Sequence, residues 1–322
     1  MEIDLTNLSP TIPVEPQHVK VLVLGSGPAG LSAALYAARA ELDPVVLTGM
    51  VLGGQVSLTY TVENYPGFPE GVGGQELVEF FQKQAERFGA RIEYDTVTQV
   101  DLSKHPFRVT TYNGVYLADT LIVATGASSR HLDVPGEVEL TGRGVSYCAT
   151  CDGWFFKEKD VLVVGGGDSA IEEGLFLTRF AKSITILHRR SELRAGAVLQ
   201  KHATEHPKIR FIWNSVISAI VGDEAVKAVR LKNLVTKEES ELPVDGVFIF
   251  IGHDPNTEIF KGQLNMDTHG YISVDASMGT NVPGVFVAGE AGDPIFRQVV
   301  TSAGMGAAAG MQAVSFLEKQ EG

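Results

Sequence analysis

Residues 19–39 read VKVLVLGSGPAGLSAALYAAR, and this stretch decides the fold. The first six positions are short, apolar and β-branched, the pattern of a strand buried on both faces. GSGPAG follows at 25–30, and then a run of helical composition. Strand, glycine-rich turn and helix in this order open a dinucleotide-binding βαβ unit. Gly25 and Gly27 permit a tight turn and close approach of a pyrophosphate, and Gly30 lets the helix pack on the strand. Ser26, Pro28 and Ala29 complete the turn, where the helix N-terminus offers amides and its dipole to phosphates.

The arrangement recurs 140 positions later (165 against 25), with DVLVV at 160–164, GGGDSA at 165–170 and IEEGLFL at 171–177. One such fingerprint is weak. Two in full βαβ context point to two dinucleotides, or one held twice. The candidate contacts of the second copy are Gly165, Gly167, Asp168, Ser169 and Ala170. Its next strand, SITIL at 183–187, runs into His188, Arg189 and Arg190, with Arg194 one turn on. An NAD site places an acid here, about 20 residues past the glycines. Arginines instead suit a 2′-phosphate, so this half reads as an NADPH site. In the first copy, DPVVLT at 43–48 ends in Thr48, Gly49 and Met50, with neither an acid nor a basic cluster. The residues alone leave that ligand open. LGGQ at 52–55 and VENYPG at 62–67 are tight-turn sequences suited to threading backbone beside a ring system; as isolated turns they carry nothing.

Apolar stretches at 120–126, 247–252 and 284–289 each end in Gly, and the first two bracket the second βαβ unit. A small-residue helix, TSAGMGAAAGM, is expected over 301–311. The simplest architecture is α/β, with one nucleotide domain inserted into another. Its parts are 1–129 (first part of the outer domain), 130–254 (the insert) and 255–322 (second part).

Composition agrees. The chain has 322 residues, too many for one compact core, and its 35 glycines cluster beside apolar runs as nucleotide-binding turns do. A formal net charge of −13 argues against nucleic acid, which needs a basic surface. No stretch approaches the ~20 apolar residues of a membrane helix. The segment before Val19 lacks the basic start and apolar run of a signal peptide. With only two cysteines, a reducing cytoplasm is expected.

Those cysteines fall in YCATCDGW at 147–154. Two thiols separated by two residues form a reversible disulfide, and in such a pair one thiol pKa is usually depressed. A zinc site would need two further ligands, and the chain has no other Cys, so no metal is expected. Asp152 follows Cys151 directly. It can serve as proton donor to a departing thiolate, or simply as a turn-forming Asp-Gly.

Taken together, GSGPAG at 25–30, GGQ at 53–55, VENYPG at 62–67, ATGA at 124–127, CATCDG at 148–153, GGGDSAIEE at 165–173, HRR at 188–190 with Arg194, IGHDPN at 251–256 and RQ at 297–298 closely resemble the low-molecular-weight, bacterial-type thioredoxin reductases. The resemblance runs from about Val19 to about Phe316. It implies two Rossmann-like, three-layer ββα domains, FAD on the outer one and NADPH on the insert, and a cytoplasmic homodimer. By the same resemblance Gly25, Gly27 and Gly30 hold the FAD pyrophosphate. Thr48, Gly53, Gly54, Gln55 and Asn64 line the FAD, and Arg297, Gln298 and Val299 flank the flavin. Gly165, Gly167, Asp168, Ser169 and Ala170 cradle the NADPH pyrophosphate, with His188, Arg189, Arg190 and Arg194 around the 2′-phosphate. Cys151 faces the flavin, Cys148 attacks the partner disulfide, and Asp152 is the acid.

The implied activity is NADPH-dependent reduction of a protein disulfide, with thioredoxin the expected partner and a glutaredoxin-like or peroxiredoxin-feeding protein the alternative. Family members bring NADPH and the cysteines to the flavin in turn by a domain rotation, which places hinges near 127–130 and 252–256. One departure stands out. Where the family reads Gly-Asp to bind the ribityl chain, this chain has Gly289 and Glu290, with Asp293, three residues on, a second candidate for the same contact.

Overall fold

The computed structural model describes residues 15–59 and 61–321. Most of the N-terminal segment read for a leader lies outside them. The chain divides into two units, the first Met1–Ser57, Gln75–Gly126 and Pro255–Gly322, the second Leu58–Gly74 and Ala127–Asp254.

Strand β1 (Gln17–Leu24) follows the two-residue period of a strand covered on both faces. Leu22 and Leu24 enter one core, Val21 and Val23 another. Pro28 opens α1 (Pro28–Arg39), because its fixed φ and missing N–H suit the first helical position. Then come β2 (Val45–Leu47), α2 (Gly74–Arg87), β3 (Arg91–Glu93), β4 (Val97–Asp101), β5 (Phe107–Thr111) and β6 (Val115–Val123). The order β3-β2-β1-β6 is parallel throughout, while β5 and β4 run antiparallel from the first half of β6. Helices cover the face of Val21 and Val23; the β4–β5 ribbon covers the face of Leu22 and Leu24.

The second unit repeats the plan. It contains β7 (Ala127–Ser129), β8 (Val145–Ser146), α3 (Ala149–Asp152), β9 (Asp160–Val164), α4 (Asp168–Leu177), β10 (Ser183–Leu187), α5 (Ala197–Glu205) and β11 (Ile209–Ile212). An antiparallel ribbon follows, β12 (Ser215–Gly222), β13 (Val226–Asn233) and β14 (Glu239–Pro243), and then β15 (Gly246–Ile249) and β16 (His253–Pro255). The sheet β11-β10-β9-β15-β8 is parallel. Val161 and Val163 of β9 pack on the helices with Ala170, Ile171 and Leu177, whereas Leu162 and Val164 pack on the ribbon with Ile217, Val229 and Leu231. Each unit is thus ribbon, sheet and helices in three layers. β7 pairs with β16 where the chain enters and leaves this unit, and Arg130 grips both carboxylate oxygens of Asp254.

The chain then completes the first unit. β17 (Val285–Val287) joins β6 in parallel, and α6 (Val299–Glu321) lies against α1. The small residues of α6 are there because the backbones nearly touch. A Cβ on Gly306 would sit 2.0 Å from the Ala29 carbonyl oxygen, and one on Gly310 would sit 2.6 Å from that of Ala33.

Candidate functional site

Two glycine turns are built alike. Gly25 donates its N–H to the Leu47 carbonyl at 2.8 Å, and Gly165 to that of Leu187 at 3.1 Å. Both have positive φ (+107° and +151°), and a Cβ at either would meet a carbonyl oxygen, Ala124 at 2.2 Å or Phe250 at 2.5 Å. Gly27 and Gly167 differ. Each is the extended N-cap of its helix and makes no side-chain cap. The nearest atoms to an added Cβ are 3.9 Å away, the Gly53 oxygen and Arg194 Nη2. These two glycines keep open the space before a helix N-terminus, where free N–H groups await an anion.

Around the first turn, Ser26 is buried, accepts the Gly53 N–H at 3.1 Å and donates to the Thr48 carbonyl at 3.3 Å. That ties Gly25–Gly30, Thr48 and the Gly53–Gln55 loop into one cluster. The Thr125 hydroxyl, one residue from where the Gly25 Cβ would clash, is buried with no protein partner. From the C-terminal part, a Cβ on Gly289 would approach Ala29 Cβ to 2.9 Å, so Glu290 begins beside the same turn. Asp293 is buried and its carboxylate accepts the N–H groups of Ile295, Phe296 and Arg297 at 2.9, 2.9 and 3.1 Å. It shapes the loop that carries Arg297, Gln298 and Val299. Asn64 is exposed in the 58–74 segment, which belongs to the second unit.

The second turn gathers the basic cluster. Arg194 donates its N–H to the Gly166 carbonyl at 2.7 Å, and a Cβ on Gly166 would strike the His188 ring at 2.3 Å. Asp168 is occupied by the Gly196 N–H at 2.7 Å, so it braces the Arg194 loop, while Ser169 is exposed and Ala170 packs in the core. Arg189, Arg190 and Arg194 are exposed, and none forms a salt bridge among the described residues. His188 is buried with no partner for Nε2. Burial, reinforced by Arg194 and Arg190, holds its pKa below the ordinary imidazole value, so it stays neutral near pH 7. Open N-cap cradles, uncommitted guanidiniums and two orphaned buried polar atoms fit two dinucleotides.

The cysteine pair follows β8. Cys148 and Cys151 form a disulfide. Cys148 is the N-cap of α3, its sulfur accepting the Cys151 N–H at 3.2 Å and lying 3.4 Å from the Thr150 hydroxyl. Burial raises the pKa of Asp152, and a 2.6 Å bond from the Ser146 hydroxyl partly offsets that rise. Ser146, Thr125 and Gly166 were not singled out from the sequence. Their roles depend on neighbours brought by the fold, and a lone Ser two residues before a Cys carries no motif. Among the described residues no cluster of His, Cys, Asp and Glu could hold a metal ion.

Residues 19–306 match the family model described as pyridine nucleotide-disulphide oxidoreductase. The chain belongs to that family. Among its relatives is the thioredoxin reductase of Streptomyces coelicolor, 52% identical over 300 residues that cover 92% of this chain and 93% of the relative. That of Mycolicibacterium smegmatis is 48% identical, covering 94% and 97%. A solved thioredoxin reductase from Streptococcus pyogenes MGAS5005 superposes with a TM-score of 0.90 at 42% identity, over 94% of this chain and 99% of its own. No helix among the described residues is long and apolar enough to cross a membrane.

Proposed function

We propose that this chain is an NADPH-dependent thioredoxin reductase acting through FAD and the Cys148–Cys151 disulfide, as a cytoplasmic homodimer. The observation that carries the reading is the cysteine pair beside a half-buried Asp152, in the same unit as an arginine-lined dinucleotide turn. When bound, NADPH and FAD supply the two electrons that open the disulfide.

The protein's own groups do the rest. The N-termini of α1 and α4 receive the pyrophosphates, one through Gly27 and the other through Gly167. Arg189, Arg190 and Arg194 grip the 2′-phosphate, and neutral His188 donates or accepts beside it without adding charge. Glu290 would hold the ribityl chain from the position after Gly289, beside the first turn. Gln55 would line the flavin, and Arg297, Gln298 and Val299 would flank it. Asp152 keeps its proton above the usual carboxylate range and gives it to the Cys148 sulfur as the disulfide opens. Cys148 then attacks the partner disulfide, its proton passing to the departing partner sulfur and its developing thiolate steadied by the Cys151 N–H and the Thr150 hydroxyl, and Cys151 resolves the mixed disulfide as its own proton passes to the second partner sulfur.

Assaying NADPH consumption with oxidised thioredoxin and with glutaredoxin-like proteins from the same cell tests this. Turnover with thioredoxin at least tenfold faster is expected. Faster turnover with a glutaredoxin-like partner overturns the substrate assignment.

A further inference from the structure

Asp152 has a companion that the reaction scheme above does not use. β8 ends at Ser146, two residues before Cys148, and its pairing with Phe248 of β15 fixes the backbone there. The Ser146 side chain is buried. Its hydroxyl oxygen lies 2.6 Å from Asp152 Oδ2 and 3.2 Å from the Cys148 carbonyl oxygen, and it accepts the Cys148 N–H at 3.1 Å. One hydroxyl therefore touches both the acid and the backbone of the cysteine.

A hydroxyl has one proton and two lone pairs. The Cys148 N–H takes one lone pair, and the proton can serve only one of the two acceptors at a time. With Asp152 ionised, the proton belongs on Oδ2, the shorter and charge-assisted bond. With Asp152 protonated, the carboxyl group donates to the second lone pair and the hydroxyl proton turns to the Cys148 carbonyl. Both arrangements keep the Ser146 hydroxyl fully bonded.

We infer that Ser146 is the positioning residue of the proton donor: its hydroxyl holds the Asp152 carboxyl against the Cys148 backbone and reverses its hydrogen bond as Asp152 loses or regains its proton. The inference rests on the reading of Asp152 as the acid. Opening the disulfide takes two electrons and two protons. Both electrons and one proton come with the hydride equivalent of the pyridine nucleotide. Asp152 gives the other proton to the Cys148 sulfur and is left as a carboxylate, which the Ser146 proton then meets. Reprotonation from water, as the cycle closes, turns the hydroxyl back.

Burial and the Ser146 bond are the influences that act on the Asp152 titration. Helix α4 packs against α3 and carries the acids Asp168, Glu172 and Glu173. The cysteines are joined in the oxidised protein and do not titrate.

The test compares Ser146→Ala, Ser146→Thr and Asp152→Asn in the holoenzyme. Removing a bond made to the ionised form lets the acid keep its proton to higher pH. In Ser146→Ala the alkaline limb of the pH–kcat profile for thioredoxin reduction moves up by about one pH unit, and the plateau falls about tenfold as the acid loses its orientation. Ser146→Thr restores both. Infrared titration of the carboxyl band in the oxidised protein, assigned by its loss in Asp152→Asn, shifts the same way without turnover. An unshifted limb and band in Ser146→Ala overturn the inference, as does Ser146→Thr shifting as far as Ser146→Ala. Should Asp152→Asn retain full thioredoxin reduction, the acid reading itself fails and this inference with it. An inactive Asp152→Asn with an unshifted Ser146→Ala overturns this inference alone.

Discussion

At the scale of single residues, the proposed coenzyme choice would rest on guanidiniums that no protein carboxylate engages among the described residues. Replacing Arg189 and Arg190 with Gln should raise KM for NADPH more than tenfold and leave NADH use nearly unchanged, because each charge-assisted bond contributes about 1.5–3 kcal/mol. Steady-state kinetics with both nucleotides checks this; an unchanged KM for NADPH contradicts it. On the proposed reading, Glu290 and Asp293 serve different ends, one the cofactor and the other its own loop. Glu290→Ala should weaken FAD binding about ten- to a hundredfold, as the loss of ~1.5–3 kcal/mol implies, while Glu290→Asp binds like the parent. Asp293→Ala should instead lower the melting temperature of the FAD-free protein, since it leaves three N–H groups of the 293–297 loop without their carboxylate acceptor. Fluorescence titration of FAD and apoprotein melting curves distinguish the two. The role of Asp293 was not legible in sequence, where it stood only as a spare acid. Neither was Ser146, whose importance comes from β8 bringing it beside Asp152.

At the scale of elements, the glycine turns and their strands were legible, because only a narrow pattern puts β-branched runs directly before such turns. β9 and β10 occupy the stretches read as strands, and both helices start three residues earlier than their apolar runs, at Pro28 and Asp168. The ribbons were not legible strand by strand. β13, VKAVRLKN, alternates buried and exposed positions around charged residues, which by itself describes many surface segments. The small-residue helix was legible as a helix but not as a contact. Its ten further residues, 312–321, and its close approach to α1 emerge only from the packing. Gly306→Val places side-chain carbons where the Ala29 carbonyl sits, so it should destabilise the protein by about 3 kcal/mol or more. Gly304, which meets nothing within 4 Å, should accept Ala at little cost. Thermal denaturation of the two variants checks the contrast, and equal stabilities would contradict it.

At the scale of the whole molecule, the chain is one plan used twice, and the copies differ where their chemistry differs. The first ends its second strand at Thr48 without charge; the second ends at His188, Arg189 and Arg190 and adds the cysteine pair. Turn signals alone did not convey the grouping of Leu58–Gly74 with the second unit. The central claim is that electrons from NADPH leave through Cys148. The most direct measurement is the anaerobic reaction of Cys148→Ser holoenzyme with NADPH, followed by addition of oxidised thioredoxin. Bound flavin should bleach as in the parent and thioredoxin should stay oxidised. Rapid reduction of thioredoxin by this variant would contradict the account.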